Sequence, residues 1–293
     1  MTKHGEDGSF FRSQKFLDFA TVKEALIARR INASFILAPM AMQLRADGVP
    51  VKVVYLGHRD GTALIVGTDS GIEDFGDLRG KRIAIPSRFA NQNILLHRMM
   101  KKWDMPYDSI ELREVPPPEH PSALRSGSID GYIVGEPFAA QAEMDGYGKV
   151  LYHAKDIWPD FISCVLVVRE ELIEEDRAIV QELVDGIAKS GKWLDEGLDH
   201  RMDAAEVTAK HYYGQDPALL KFVLSKPVDR VKYTRLAPLK DDFDEIMELA
   251  VEIGVLERPI AFEEYADDSF VKPLDELDWG LDRLPQDPDG GGQ

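Results

Sequence analysis

The chain has 293 residues, 44% of them hydrophobic and 30% charged, a balance that excludes a disordered chain and suits two modest cores. Against 35 lysines and arginines stand 52 aspartates and glutamates, and the net charge of -17 excludes a basic nucleic-acid stripe and disfavours an anionic membrane surface. The single cysteine, Cys164, rules out an internal disulfide or a cysteine-based metal cluster, and no apolar run reaches the roughly 18 residues of a membrane span.

Met1 to Ser9 are polar and lack the apolar core of a signal peptide, which on its face predicts a cytoplasmic protein. Strand-like and helix-like segments then alternate, predicting an α/β fold with parallel sheets. Gln14–Ala20 reads as a strand, Val22–Arg30 as a helix, Ala33–Leu37 as a strand, Met40–Ala46 as a helix and Val51–Leu56 as a valine-rich strand. Lys81–Pro86 reads as a strand and Asn91–Trp103 as an amphipathic helix with Ile94, Leu95, Met99 and Met100 on its apolar side. The earlier order then recurs as strand Ser109–Val115, helix Pro121–Ser126, strand Gly131–Val134, helix Pro137–Met144 and strand Lys149–Tyr152.

The recurrence extends to residues at an offset of 98: Ala25-Leu26 answer to Ala123-Leu124, Pro39 to Pro137, Gln43 to Gln141 and Asp47-Gly48 to Asp145-Gly146. Such a repeat predicts two similar lobes facing one cleft. Subtracting the offset from Lys81 places an equivalent opening strand before residue 1, so the first lobe is expected to lack its first strand and helix, through a start set too far downstream, a trimmed chain, or a lobe that evolved in this shortened form. After strand Ser163–Val168 come helices over Glu175–Leu198, Ala204–Tyr213, Pro217–Leu224 and Lys240–Ile253, and the Pro-, Asp- and Gly-rich stretch 272–293 reads as a disordered tail.

Catalytic patterns are scarce. Gly186–Lys192 matches the start of a P-loop, but Trp193 stands where Ser or Thr holds magnesium, and the run lies inside a helix pattern. No G-x-S-x-G or H-E-x-x-H occurs, and the seven histidines have no metal-ligand spacing, so neither a metal nor a cofactor is expected. His97 reads as a packed or surface residue, and Trp158 as a core aromatic or a ligand-stacking one. His58, Arg59, Asp60 and Gly61 cluster at a strand end, as a site or a solvated turn. The loop Pro86–Asn93 joins a strand to a helix; Arg88, Asn91 and Gln92 there can hold an anionic or polar group, or Asn91 can simply cap the helix. Glu136-Pro137 and its repeat partner Ala38-Pro39 sit at helix starts on opposite cleft walls, where Glu136 can meet a ligand amine or bridge the lobes.

At these residues the chain resembles the nitrate, sulfonate, taurine and bicarbonate solute-binding proteins of ABC importers. The resemblance runs over about residues 13–271, through Ala25-Leu26 to Pro39-Met40, Gly61–Val66, Asp77–Lys81, Val115–Glu119, Leu124–Gly131, Gly135–Phe138 and Glu264–Phe270. It implies a two-lobed periplasmic-binding fold without catalysis, hinged near Val66–Ile72 and Asp156–Cys164, with lobe 1 from 1–68 plus 162–271 and lobe 2 from 69–161. In this fold the first strand lies mid-sheet, so its loss implies a weakened first lobe. The resemblance also implies a periplasmic or cell-envelope location, ABC permease subunits as partners, and a small polar or anionic solute. The expected ligand-binding residues are Pro39, Arg59, Gly61, Thr62, Arg88, Asn91, Gln92 and Glu136. Val115–Glu119 looks most like the nitrate and bicarbonate binders, which typically carry Gln at the position of Thr62 and His at that of Gln92. The thiamine-pyrimidine synthases share the fold but use a cysteine-rich motif, which a chain with only Cys164 lacks. The alternative is a cytoplasmic enzyme on the same fold in vitamin or quinone precursor synthesis, using His58, Arg59 and Asp60.

Overall fold

In the computed structural model residues 11–211 and 214–274 are described; the Met1–Ser9 start and the tail beyond Leu274 lie outside them. Two sheets organise these residues. The first has the order β1 (Ala33–Ile36), β8 (Ile162–Arg169), β2 (Val51–Asp60) and β9 (Val231–Lys232), all neighbours antiparallel. The second has the order β5 (Glu111–Glu114), β4 (Arg82–Ile85), β6 (Gly131–Gly135), β3 (Thr62–Gly67) and β7 (Gly148–His153). Here β5, β4 and β6 run parallel while β3 opposes β6 and β7. The first sheet is therefore antiparallel and the second mixed, rather than both parallel, because late strands β8 and β9 return to the first sheet and the early strand β3 enters the second.

Among the described residues twelve α-helices pack around the sheets: α1 (Phe19–Ile27), α2 (Ala38–Ala46), α3 (Asn91–Lys102), α4 (His120–Arg125), α5 (Phe138–Met144), α6 (Ala154–Ile157), α7 (Glu170–Glu175), α8 (Arg177–Glu196), α9 (Leu198–His211), α10 (Pro217–Ser225), α11 (Lys240–Glu252) and α12 (Phe262–Tyr265). The first sheet's core takes Leu26 of α1, Met40 and Leu44 of α2, Val180 and Val184 of α8, and Phe243 and Ile246 of α11. On the second sheet, Leu95, Met99 and Met100 of α3 pack one face with Phe75 and Leu78, and Leu124, Ala139 and Ala142 of α4 and α5 pack the other. Ala90 and Ile94, at the start of α3, bury in the first sheet's core instead. This helix therefore belongs to both bodies.

The repeat is visible in the topology. β1, β8 and β2 are neighbours in the first sheet in the order that β6, β3 and β7 take in the second. Local bonds repeat too. Gln43 donates to Asp47 Oδ1 at 2.7 Å and Gln141 to Asp145 Oδ2 at 3.1 Å, at the ends of α2 and α5. Each helix is then followed by a glycine at φ 79°, Gly48 and Gly146, the left-handed position that ends a helix without a Cβ clash.

Two expectations need correction. Gln14–Ala20 is no strand: residues 11–16 form neither strand nor helix, and Asp18 caps α1 by accepting the Thr21 N–H at 2.7 Å. Its counterpart in the repeat is β5, which bonds only to β4, and β4 has no counterpart among the described residues of the first half. A strand without a neighbour leaves its backbone groups unpaired, and the capped helix start prevails. Thr62–Gly67 was not expected as a strand, yet β3 lies between β6 and β7 in the second sheet. The chain therefore first crosses between sheets at Asp60–Thr62 rather than Val66–Ile72, and it crosses back before Ile162.

Candidate functional site: the crossing between the two sheets

The first crossing is a corner of two consecutive left-handed residues, Asp60 at φ 59° and Gly61 at φ 63°. The second strand passes beside it. Asp60 N–H donates to the Phe161 carbonyl at 2.7 Å, Gly61 N–H to the Arg230 carbonyl at 2.8 Å, and Glu136 N–H to the Gly61 carbonyl at 2.8 Å. A Cβ on Gly61 would stand 3.0 Å from Val231 and 3.1 Å from His58 on top of its unfavourable φ, so glycine is favoured there.

Three helix starts converge on this corner. Asn91 Oδ1 accepts the Ala38 N–H at 3.0 Å, so the first residue of α3 caps α2 across the sheets, beside the buried Pro39. Its amide donates to the Ile162 carbonyl. Glu136 Oε2 accepts the Ala140 N–H at 2.9 Å at the start of α5. No side chain caps α3. Beside that start Gln92, 2% exposed, donates to Thr62 Oγ1 at 3.2 Å, and Thr62 Oγ1 lies 3.3 Å from Ser163 Oγ. Among the described residues Gln92 Oε1 is buried without a partner.

The cations around the corner are matched by carboxylates. Arg59, 1% exposed, spends its guanidinium on the Arg235 carbonyl at 2.7 Å, the Asp160 carbonyl at 2.8 Å and Asp242 Oδ2 at 2.5 Å. Arg230 bridges Glu136 at 2.8 Å and Glu143 at 2.7 Å, so the second sheet's carboxylates clasp the segment leading into β9. Lys232 meets Asp60 at 3.0 Å and Asp160 at 3.3 Å, and Arg235 meets Asp160 at 2.7 Å. Burial pushes the carboxyls of Glu136 and Asp60 above the usual range, with Arg230 and Lys232 respectively opposing it. His58 is pushed down to about 4 by burial, with the Arg59 and Asp60 backbone groups opposing, and its Nδ1 has no partner.

Of the eight expected residues, seven gather at this corner: Pro39, Arg59, Gly61, Thr62, Asn91, Gln92 and Glu136. Arg88 stands apart, exposed on the loop before α3 and stacked 4.9 Å over Phe89. Sequence reasoning missed Ser163, Glu143, Asp160, Arg230 and Asp242, which meet the corner from distant parts of the chain and carry no local motif. Trp158 packs in the core against Phe161 and under Arg98. His97 is buried with Nε2 3.4 Å from Glu252. Gly186–Lys192 lies inside α8, where no phosphate-cradling turn exists. Burial pushes the Cys164 thiol up to about 12 despite the His58 and Gly57 backbone groups, so it is no nucleophile at neutral pH. Among the described residues no group of His, Cys, Asp and Glu is arranged to hold a metal, and no helix is long and apolar enough to cross a membrane.

Two sheets joined by two crossings, with helix starts aimed at the junction, are the arrangement of two-lobed binding proteins. The family model described as the NMT1-like family matches residues 5–209. The chain belongs to the NMT1-like family. Among relatives of this NMT1-like chain is the taurine-binding periplasmic protein of Escherichia coli, 28% identical over 187 residues, covering 63% of this chain and 56% of that one. Another is the nitrate import ATP-binding protein NrtC of Synechocystis, 27% identical over 210 residues, covering 66% of this chain and 31% of that one. The chain thus spans between about a third and just over half the length of these curated relatives. Among solved structures, the ligand-binding component of an ABC-type import system from Staphylococcus aureus, with zinc bound, superposes with a TM-score of 0.79. Its identity is 26%, over 91% of this chain and 87% of that one.

Proposed function

We propose that this chain is the solute-binding component of an ABC import system, holding a small polar solute at the corner where its two sheets meet and performing no catalysis. The observation that carries the reading is the polar row Gln92–Thr62–Ser163, drawn from a helix and two crossing strands, beside the uncapped start of α3. The likeness to the taurine-binding protein and to the Staphylococcus aureus component supports it. In this reading Gln92 and Thr62 touch the solute, Arg88 stands at the rim, and Asn91, Gly61, Pro39, Glu136 and Arg59 hold the frame. The lobes divide at Asp60–Thr62 and before Ile162, and closing them presents a surface to permease subunits on the outer side of the membrane. Nitrate, sulfonate, taurine and bicarbonate are the starting solutes to try.

The alternative of a cytoplasmic enzyme keeps little support. Arg59 and Asp60 are engaged in the frame, and His58, with no partner at Nδ1, has no carboxylate to orient it.

Thermal unfolding of the purified chain against a solute panel tests the proposal. Binding to the native state raises the midpoint by mass action, about 2.7 kcal/mol at a hundredfold excess over Kd. A shift with any one solute class supports capture; a cooperative melt that no solute moves removes it.

A further inference from the structure

We infer that the solute held at the corner has no net negative charge and presents an N–H donor close to an acceptor oxygen, as amides, lactams and aminoalkyl zwitterions do. This rests on the solute-capture reading and specifies its ligand.

Two independent observations point the same way. The first is the carboxamide oxygen of Gln92. It is buried, lacks a partner, and stands beside a helix start that no side chain caps. A buried acceptor left unpaired costs about 1–3 kcal/mol. The ligand that removes this cost is one that donates. The N–H groups at the first turn of α3 ask the opposite, an acceptor. One molecule satisfies both by carrying donor and acceptor near one another. Nitrate and alkanesulfonates accept only, and would set their oxygens against Gln92 Oε1.

The second observation is charge. An anion brought into a buried site needs a cation or several free donors. Arg59, Lys232 and Arg235 are matched by Asp242, Asp60 and Asp160, and Arg230 lies between two carboxylates, Glu136 and Glu143. Two of the three converging helix starts are also occupied, α2 by Asn91 and α5 by Glu136. Among the described residues Arg230 Nε is a further buried donor without a partner, but it sits between Glu136 and Glu143, so an acceptor-only anion would meet those carboxylates as well as the free start of α3. A neutral or zwitterionic solute avoids that penalty.

Isothermal titration of the full chain decides it, with urea, uracil and taurine as donor-bearing probes and nitrate and ethanesulfonate as acceptor-only probes. The expected result is binding of at least one donor-bearing probe and at least tenfold weaker binding of both anions. Gln92→Leu should weaken that probe about ten- to hundredfold. Urea unfolding of the same variant guards against misreading a folding defect. Tighter binding of nitrate or ethanesulfonate overturns the inference while leaving solute capture standing, as does a donor probe whose affinity ignores Gln92→Leu in a folded variant. Heat from no probe overturns solute capture and this inference together.

Discussion

Asn91 opens the helix of one sheet and caps the helix of the other: its Oδ1 accepts the Ala38 N–H at 3.0 Å while its amide donates to the carbonyl of Ile162. Both backbone groups are buried, so neither has water to fall back on. Asn91→Ala strands a donor and an acceptor, and should cost about 2–3 kcal/mol in urea unfolding. Asn91→Asp keeps the Ala38 bond but sets a carboxylate against the Ile162 carbonyl, and should be no better than alanine. A loss below about 0.5 kcal/mol for alanine, the scale of an ordinary surface change, would show that this bond does not join the two bodies.

Arg59 distinguishes frame from ligand contact. All three of its donor nitrogens are engaged, on Arg235, Asp160 and Asp242. Arg59→Met should therefore lower stability by about 3 kcal/mol, from the stranded carbonyls and the lost partner of half-buried Asp242. Solute affinity, measured where the variant is folded, should stay unchanged. An affinity loss with stability intact would put Arg59 on the solute after all.

Much of this arrangement was legible in the residues, and the part that was not has a physical cause. The Gln43–Asp47 and Gln141–Asp145 bonds are local and repeated, so periodicity exposes them, and with them the shared order β1-β8-β2 and β6-β3-β7. Thr62, Asn91, Gln92 and Glu136 were found because each lies at a strand end or a helix start. Arg230 and Asp242 were not, since they reach the corner from far along the chain, and pairing at that range leaves no spacing signal. Gln14–Ala20 failed for a different reason: its pattern suits a strand, but the pattern does not say whether a neighbouring strand exists. Among the described residues no strand pairs with this segment, and Asp18 starts α1 by capping it. Arg59 misled in the opposite sense, because an arginine in a cleft motif reads as an anion binder until its three carbonyl and carboxylate partners are known.

The clasp of Arg230 on Glu136 and Glu143 carries a pH signature. Burial already lifts the Glu136 carboxyl, and Arg230 is the largest influence opposing the lift. Arg230→Ala removes that opposition. The stranded carboxyl should rise further in the folded state and bind a proton that the unfolded chain does not hold. A raised carboxyl contributes stability below its unfolded value and loses it as pH climbs through the folded value. The variant should therefore be weaker than the parent by on the order of 3 kcal/mol at pH 8, and the gap should narrow toward pH 5. Urea unfolding at the two pH values measures it; an equal gap at both would mean that the carboxyl does not depend on Arg230.

His120 sets how the fold meets acid. Its ring is fully buried against Tyr132, Nε2 lies 2.8 Å from the Val115 carbonyl, and Nδ1 has no partner. Burial pushes its pKa down to about 4, with the Val115 and Ile85 carbonyls opposing. Between the ordinary value near 6.5 and about 4 the unfolded chain binds a proton that the folded chain refuses. Stability is then full above that ordinary value and falls as pH drops through the window, by on the order of 3 kcal/mol for this ring. His58, lowered to about 4 as well, acts in the same direction. Unfolding free energy should thus begin to fall below about pH 6.5. His97 and His153 are also lowered by burial, so His120→Phe removes one of several such rings from the balance, and its pH profile from 7 to 4 should be visibly shallower than the parent's even where its stability at pH 7 is lower. An unchanged slope would show that His120 accepts its proton in the folded chain without penalty, and that the acid sensitivity lies elsewhere.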